Sequence, residues 1–144
     1  MAEAVMAPHA GAPLPSPEDD WREWFLENSR SFRRTLLPRR DGARLHAGSA
    51  PTGDLDRIRR KMAFLVASGV PESDAQMAML AASRFTVGCV LEEQADTGPG
   101  DDVGLPAGVP VIDHGSAFEA GLSLILNGLV QRVEDADNAA GQSP

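Results

Sequence analysis

The segment from Pro71 to about Ala95 constrains the fold more than any other part of the chain. Wound as an α-helix, its middle stretch MAMLAASRFTVGCVL is small or apolar almost all round. Such a helix would be roughly 35 Å long at ~1.5 Å per residue. A surface helix needs only one apolar stripe, so we expect this segment to be covered by other helices on more than one side.

The rest of the chain also repeats apolar residues at helical spacing, without the alternation typical of strands, which predicts an all-α fold. Capping and breaking residues set the expected helix limits. We expect helices from the N-cap Ser16 and Pro17 to Leu37, from Arg39 to Ala47, from Thr52 to Ser68 with Gly69 as terminator, and from the capping box of Ser116 and Glu119 to Val133.

Three of these helices, all but the one from Arg39 to Ala47, have a predicted apolar face. The predicted faces are Trp21, Trp24, Phe25, Phe32 and Leu36; then Leu55, Ile58, Met62, Leu65 and Val66; then Phe118, Leu122, Ile125, Leu129 and Val133, broadened by Leu124, Leu126 and Val130. The apolar surface of the helices from Pro71 to Ala95 and from Ser116 to Val133 is wider than one small domain can bury. This favours a four-helix-bundle interface in a homodimer, with packing inside a monomer as the alternative.

Composition and charge narrow the function classes. The 144 residues are 42% hydrophobic and carry a net charge of −8, so the chain can bury a core but lacks a basic surface to bind DNA unaided. A single cysteine excludes an internal disulfide framework, and no apolar run is long enough to cross a membrane. We expect a soluble cytoplasmic protein with a folded domain over residues 17–133, a Pro/Gly-rich loop with a helix remnant over 1–16, and a disordered tail over 134–144.

Motifs of the common enzyme classes are not found. The sequence contains no HExxH, no GxSxG, no P-loop and no Cys/His set with zinc spacing. Cys89 lies in an apolar helix, where a thiol behaves as a small hydrophobe. His114 beside Asp113 could form an acid–base couple, but its place at a helix entrance favours capping. We therefore expect a protein that is not an enzyme.

Several short motifs carry a more specific signal. They are DGARLHAGSAPT (residues 41–52), FTVGCVLEEQ (85–94), the DHG and GLSLILNGL segments (113–115 and 121–129), and the spacing from Trp21 through Asn28 to Phe32. In this order and spacing the chain resembles the regulatory core of the tetracycline repressor family. The resemblance implies an all-α ligand-binding and dimerisation domain. In that family a helix-turn-helix domain precedes this core and contacts DNA, and we expect it to be absent here.

The resemblance also implies a ligand and a metal. The drug is bound as a Mg²⁺ chelate, in which His46 ligates the metal directly and Glu92 of the partner subunit holds a metal-bound water. Asn28 would hydrogen-bond the drug's polar edge and Phe32 would pack on its rings. The full set of implied ligand-binding positions is His9, Asn28, Phe32, His46, Ser49, Pro51, Lys61, Met62, Gln76, Met79, Leu105, Val109 and Ile112.

The residues alone allow plainer interpretations of the same positions. A lone histidine near a helix end is usually solvated or capping, an asparagine in an apolar stripe can cap a buried loop, and Glu92 can end a helix in solvent.

Three departures from the family pattern concern the ligand. Ser49 stands where threonine is usual, Ala50 replaces an arginine of the induction switch, and Lys61 replaces a drug-contacting glutamine.

A lysine beside a cationic chelate would be repelled unless it reached the drug's enolate oxygen or turned to solvent. The resemblance and these departures leave three hypotheses for the function of the chain. The chain is a tetracycline-binding core, a sensor of another small molecule on the same scaffold, or a truncated piece used for dimerisation alone.

Overall fold

The computed structural model of the protein describes residues 14–39, 55–96 and 113–141. Within these ranges it contains four helices and no strand, which confirms the predicted all-α fold. The helices are α1 (Trp21–Leu36), α2 (Leu55–Ala67), α3 (Glu72–Asp96) and α4 (His114–Gly141). The helix expected over residues 39–47 lies outside the described ranges, apart from Arg39.

Helix α1 begins later than predicted. Asp20, not Ser16, is its N-cap, and the Asp20 carboxylate accepts a hydrogen bond from the backbone N–H of Arg22 at 3.1 Å. Ser16 instead belongs to a preceding turn, in which the Asp19 N–H donates to its carbonyl oxygen at 3.0 Å. Both residues have N-cap chemistry, and the carboxylate is favoured by the helix dipole. The predicted apolar face of α1 is confirmed, because all five of its residues are buried.

Helix α2 buries a different face from the one predicted. Leu65 is buried and Met62 half-buried, but Leu55, Ile58 and Val66 are exposed. The buried residues are Lys61, Phe64 and Leu65, because this side of the helix meets α1 and α3. The helix ends as predicted before Gly69, which has a positive φ of 110°.

Helix α3 lies at the centre of the fold and contacts the other three helices. Its bounds fall within one residue of the predicted ones. Small and β-branched residues at spacings of three and four form its buried ridge, namely Ala75, Ala78, Ala82, Thr86 and Val90. Short side chains let neighbouring helices approach closely along this ridge. Met77 and Leu80 on the other side are exposed, so the expected cover on more than one side is not complete within the single chain.

Helix α4 differs from prediction at both ends. The predicted capping box does not form. The carboxylate of Asp113 accepts the Ser116 hydroxyl instead, while Glu119 pairs with Arg30 of α1. The helix is continuous to Gly141, where fraying was expected from Glu134. Its buried face is as predicted, except that Leu126 is buried and Ile125 only half-buried.

The contact between α3 and α4 is close. A Cβ atom added at Gly121 would lie 2.3 Å from the Phe85 ring, so no larger residue fits there without displacing that ring. Phe85 in turn stacks on Phe118, with ring centroids 5.8 Å apart and planes 11° from parallel. The main core forms around this stack and spans all four helices. In the described ranges, none of the helices combines the length and apolar character needed to cross a membrane.

Candidate functional site

The structure describes part of the predicted ligand site. Asn28 and Phe32 lie on α1, Lys61 and Met62 on α2, and Gln76, Met79 and Glu92 on α3. The remaining predicted positions lie outside the described residues, and they are His9, His46, Ser49, Pro51, Leu105, Val109 and Ile112.

Asn28 and Lys61 form the polar centre of the described part. The Lys61 ammonium donates a hydrogen bond to Asn28 Oδ1 at 2.8 Å, and the lysine is only 4% exposed. An amide in an apolar face needs a hydrogen-bond partner, and Lys61 supplies one to Asn28. The sequence left two alternatives for the Lys61 side chain, contact with the drug's enolate oxygen or an orientation towards solvent. The second is wrong, because the side chain lies between α1 and α2.

Aromatic rings lie beside this pair. One turn before Asn28, Trp24 meets Phe64 of α2 edge to face, with ring centroids 5.2 Å apart. As α1 advances from Trp24 to Asn28, the facing residue on α2 goes back from Phe64 to Lys61, so the two helices run antiparallel here. This arrangement gives one buried cation and several rings in a small space.

Phe32 belongs to a second, smaller cluster. It is 3% exposed and packs with Leu36 and with Val90 of α3. Phe32 and Asn28 are one turn apart on α1, so one molecule could contact both positions. In the described ranges, however, the Phe32 ring is covered by protein rather than open to a cleft.

The predicted residues of α3 do not converge on one point. Gln76 is exposed near the start of the helix, Met79 is half-buried beside the main core, and Glu92 is exposed near the end. Sixteen residues of helix separate Gln76 from Glu92, or about 24 Å at ~1.5 Å per residue. A drug-sized molecule therefore cannot contact both residues within one protomer. This agrees with the prediction that Glu92 acts in the ligand site of the partner subunit.

The ends of α1 and α3 are joined by contacts that spacing alone did not indicate. Arg33 pairs with Glu93 at 3.0 Å, with both side chains mostly buried. The Gln94 amide donates to the carbonyl oxygens of Leu36 and Arg39, at 3.3 and 2.8 Å. These carbonyls end α1, so α3 holds the point from which the segment containing His46 departs.

Two further polar contacts tie α4 to its neighbours. Arg30 and Glu119 form a two-pronged ion pair at 2.7 to 3.1 Å, which lowers the pKa of the Glu119 carboxyl. The His114 ring nitrogen Nε2 lies 2.8 Å from a carboxylate oxygen of Asp96, the last residue of α3. Asp113 caps α4, and its pKa is lowered, first by the hydrogen bond from Ser116. The acid–base couple considered for Asp113 and His114 is therefore replaced by two separate contacts.

The described residues offer few groups for metal binding or nucleophilic chemistry. Over the described ranges, no three His, Cys, Asp or Glu side chains are grouped to hold a metal ion. Burial raises the pKa of the Cys89 thiol, which keeps it protonated at neutral pH, as in a small hydrophobe.

An open cleft of about 400 Å³ runs along the outer side of α1. Asn28 and Trp24 belong to its lining, together with Leu14, Asp19, Asp20, Glu23, Glu27, Arg30 and Ser31. Of the predicted ligand positions that the structure describes, it shares only Asn28. Its acidic residues lie towards the start of α1 and the Lys61–Asn28 pair towards the middle.

Comparison with known proteins gives one consistent result. The profile of the family described as "Tetracyclin repressor-like, C-terminal domain" matches residues 13–133. The class A tetracycline repressor protein from transposon 1721 of Escherichia coli is 39% identical over 147 residues, covering 92% of this chain and 68% of that repressor.

Solved structures agree with this. A Tetr-family transcriptional regulator from Streptomyces coelicolor is 69% identical, with a TM-score of 0.65, over 91% of this chain and 66% of that one. TetR (class A) in complex with 5a,6-anhydrotetracycline and magnesium is 39% identical, with a TM-score of 0.77, over 91% of this chain and 72% of that one.

Proposed function

Because the chain belongs to the tetracyclin repressor-like C-terminal domain family, we propose that it senses tetracycline, bound as a magnesium chelate, and thereby relieves repression of resistance genes. The more general role, that of a ligand-sensing regulatory domain, follows from membership of this family. We assign DNA recognition to a helix-turn-helix domain of the kind that precedes this core in the family. An enzymatic role is not proposed, since the matched relatives are repressors and regulators.

The observation that carries the proposal is the Asn28–Lys61 pair. A polar amide is held between helices, one turn from both Trp24 and Phe32. The family resemblance assigns this position to the polar edge of the drug. Polar groups are costly to place in an apolar face, and this supports the proposed recognition role.

The donor set is compatible with Mg²⁺. Glu92 offers an exposed carboxylate near the end of α3, and no ion pair to it is seen within the described ranges. An exposed carboxylate can hold a metal-bound water in the site of a neighbouring subunit. His46 would ligate the metal directly. When bound, the ion would hold the drug's oxygens in place, while Asn28 orients its polar edge.

A homodimer through α3 and α4 is part of the proposal. Three large apolar side chains on these helices are exposed in the single chain, Met77 at 61%, Leu80 at 41% and Leu124 at 73%. A face of this kind is expected to be covered by a second copy. Light scattering at micromolar concentration should give twice the chain mass of 15.2 kDa, and a monomer would contradict this part.

The ligand assignment is tested by titrating tetracycline fluorescence with the protein, in Mg²⁺ and in chelator. We expect chelation to weaken binding strongly. His46→Ala should weaken it by about 1.5–3 kcal/mol, or roughly ten- to a hundred-fold, because a direct ligand is lost. Tight binding that ignores both changes would contradict the metal role of His46.

A different ligand on the same scaffold is the second candidate. It is favoured by Lys61, whose buried positive charge stands where the family has a neutral glutamine, and by Ala50 in place of an arginine. A sensor of this kind should show no Mg²⁺-dependent binding of tetracycline, so the same titration separates the two.

A further inference from the structure

The C-terminal end of α3 carries charges that weaken a helix end. Glu92, Glu93 and Asp96 lie in its last two turns, and its last turn contains no basic residue. The C-terminal end of a helix has a partial negative charge, so carboxylates there are unfavourable by themselves. Helix ends also open more easily than helix centres. The last turns of α3 therefore depend on contacts from other helices.

Contacts from α1 and α4 hold this end of α3. Arg33 donates to both carboxylate oxygens of Glu93, at 3.0 and 3.3 Å. Gln94 donates to backbone carbonyls at the end of α1, and Asp96 meets the first residue of α4. Glu92 is exposed, and within the parts of α1 to α4 that the structure describes no ion pair to it is seen. Two of the three carboxylates are thus used inside the protomer, and the third is left for another molecule.

Arg33 is held from two sides. Its side chain is 19% exposed, and its guanidinium lies over the Phe118 ring of α4, 5.2 Å from the ring centroid, as well as against Glu93. The neighbouring Arg34 instead pairs with Glu27 of the same helix, and both of those side chains are mostly exposed. A shielded ion pair holds its partners more strongly than an exposed one. Arg33 therefore fixes the end of α3 relative to both α1 and α4.

The contact at Glu93 determines the direction of Glu92. Successive residues of an α-helix are about 100° apart around its axis. With Glu93 turned towards Arg33, the Glu92 side chain is directed away from that contact, to the exposed side of α3. If the last turns opened, the Glu92 carboxylate would be spread over many positions. A group that holds a metal-bound water has to be kept in one orientation.

We propose that Arg33 is a positioning residue for Glu92. By pairing with Glu93 it keeps the end of α3 helical, so that the Glu92 carboxylate is presented at a fixed place to the site of the partner subunit. This rests on the proposed function, in which Glu92 of one subunit holds a water bound to Mg²⁺ in the other site. Arg33 acts through Glu92 and needs no contact with the metal or the drug.

A Mg²⁺ titration of tetracycline fluorescence measures this role. Arg33→Met keeps most of the side-chain length and removes the charge. It should raise the Mg²⁺ concentration for half-saturation roughly tenfold, the low end of the range for residues that orient metal-site groups. Arg33→Lys keeps the charge and should lose less. Arg34→Met is the matched control from the exposed pair, and it should titrate like the parent.

A second substitution shows whether the effect passes through Glu92. In a Glu92→Gln background, Arg33→Met should cause no further change in the Mg²⁺ requirement, because the group that it positions is already gone. Tetracycline binding in chelator should be the same with and without Arg33→Met. Effects of the two substitutions that simply multiply would overturn the proposal, since Arg33 would then act on binding in general.

Hydrogen exchange in the protein without metal or drug tests the first step alone. The amides of the last turn of α3 should exchange roughly tenfold or more faster in Arg33→Met than in the parent or in Arg34→Met. Circular dichroism melts check that each variant folds. Equal exchange would overturn the proposal, and so would faster exchange with an unchanged Mg²⁺ requirement. A parent protein without Mg²⁺-dependent tetracycline binding would instead contradict the proposed function, and the role of Arg33 with it.

Discussion

The contact of α4 with α3 and the contact of α2 with α1 are built in opposite ways. The first is apolar and close, with the Phe85 ring against Gly121 and stacked on Phe118. The second holds a buried cation against a half-buried amide, beside aromatic rings. Apolar contact is stabilising by itself, whereas a buried polar pair at best offsets its own desolvation. The difference indicates that the first contact stabilises the fold, and it leaves the second for the ligand recognition that we propose.

The largest effect on stability should come from Gly121→Ala. The new methyl group overlaps the Phe85 ring, which has to move out of its stack on Phe118, and overpacking of this kind costs about 1–3 kcal/mol. Gly128→Ala on the same helix is the control. A Cβ there meets nothing within 4 Å, so the helix should gain about 0.5–1 kcal/mol. Urea unfolding of both variants measures the difference, and equal effects would contradict the close approach.

A smaller loss is expected when the polar contact is cut. Asn28→Ala removes the acceptor facing the Lys61 ammonium, which should lower the free energy of unfolding by about 1–2 kcal/mol, because Asn28 is only half-buried. Lys61→Met keeps the length and removes the charge, and should change stability by under about 1 kcal/mol. Denaturant unfolding of the two variants tests the order. A larger loss for Lys61→Met would mean that the charge itself stabilises the fold.

The smallest effect should come from Glu119→Gln, which breaks the ion pair between α4 and α1. Both partners are partly exposed, at 33% and 46%, so the loss at pH 7 should be below about 1 kcal/mol. The pKa of Glu119 is lowered in the folded state, first by the hydrogen bond from Arg30. Its contribution is therefore present above the unfolded pKa and is lost as the pH falls through the folded pKa.

Thermal melts from pH 7 down to pH 3 should show the variant and the parent converging at acidic pH. Glu134→Gln, at an exposed position further along α4, should match the parent at every pH. A gap between Glu119→Gln and the parent that stayed constant with pH would place the effect outside the ion pair.

The same contrast separates what the sequence could predict from what it could not. The bounds of α3 and the buried face of α4 follow from the spacing of small and apolar residues within one helix. The burial of Lys61 depends on Asn28, 33 residues away, and periodicity within α2 alone places the lysine at an edge.

The predicted starts of α1 and α4 were wrong for a related reason. Ser16 and Asp20 are both suitable N-caps, and local sequence does not decide between them. At α4, Glu119 has the right spacing for a capping box but pairs with Arg30, 89 residues earlier in the chain. In both cases the local signal was real, and a tertiary contact or a stronger neighbouring cap determined the outcome. The predicted metal ligand His46 lies outside the described residues and stays a prediction.

The contact between Asp96 and His114 has a consequence for how this domain can vary. It joins the last residue of α3 to the first residue of α4, at 2.8 Å, and so sets the distance that the intervening chain has to span. The entropy lost on closing a loop grows only with the logarithm of its length, about 0.6 kcal/mol for each doubling. With both ends held by the helices, insertions and deletions over residues 97–112 should cost the fold little. This connection contains the predicted ligand positions Leu105, Val109 and Ile112, and we expect that it can change its length and chemistry while the helical core stays the same.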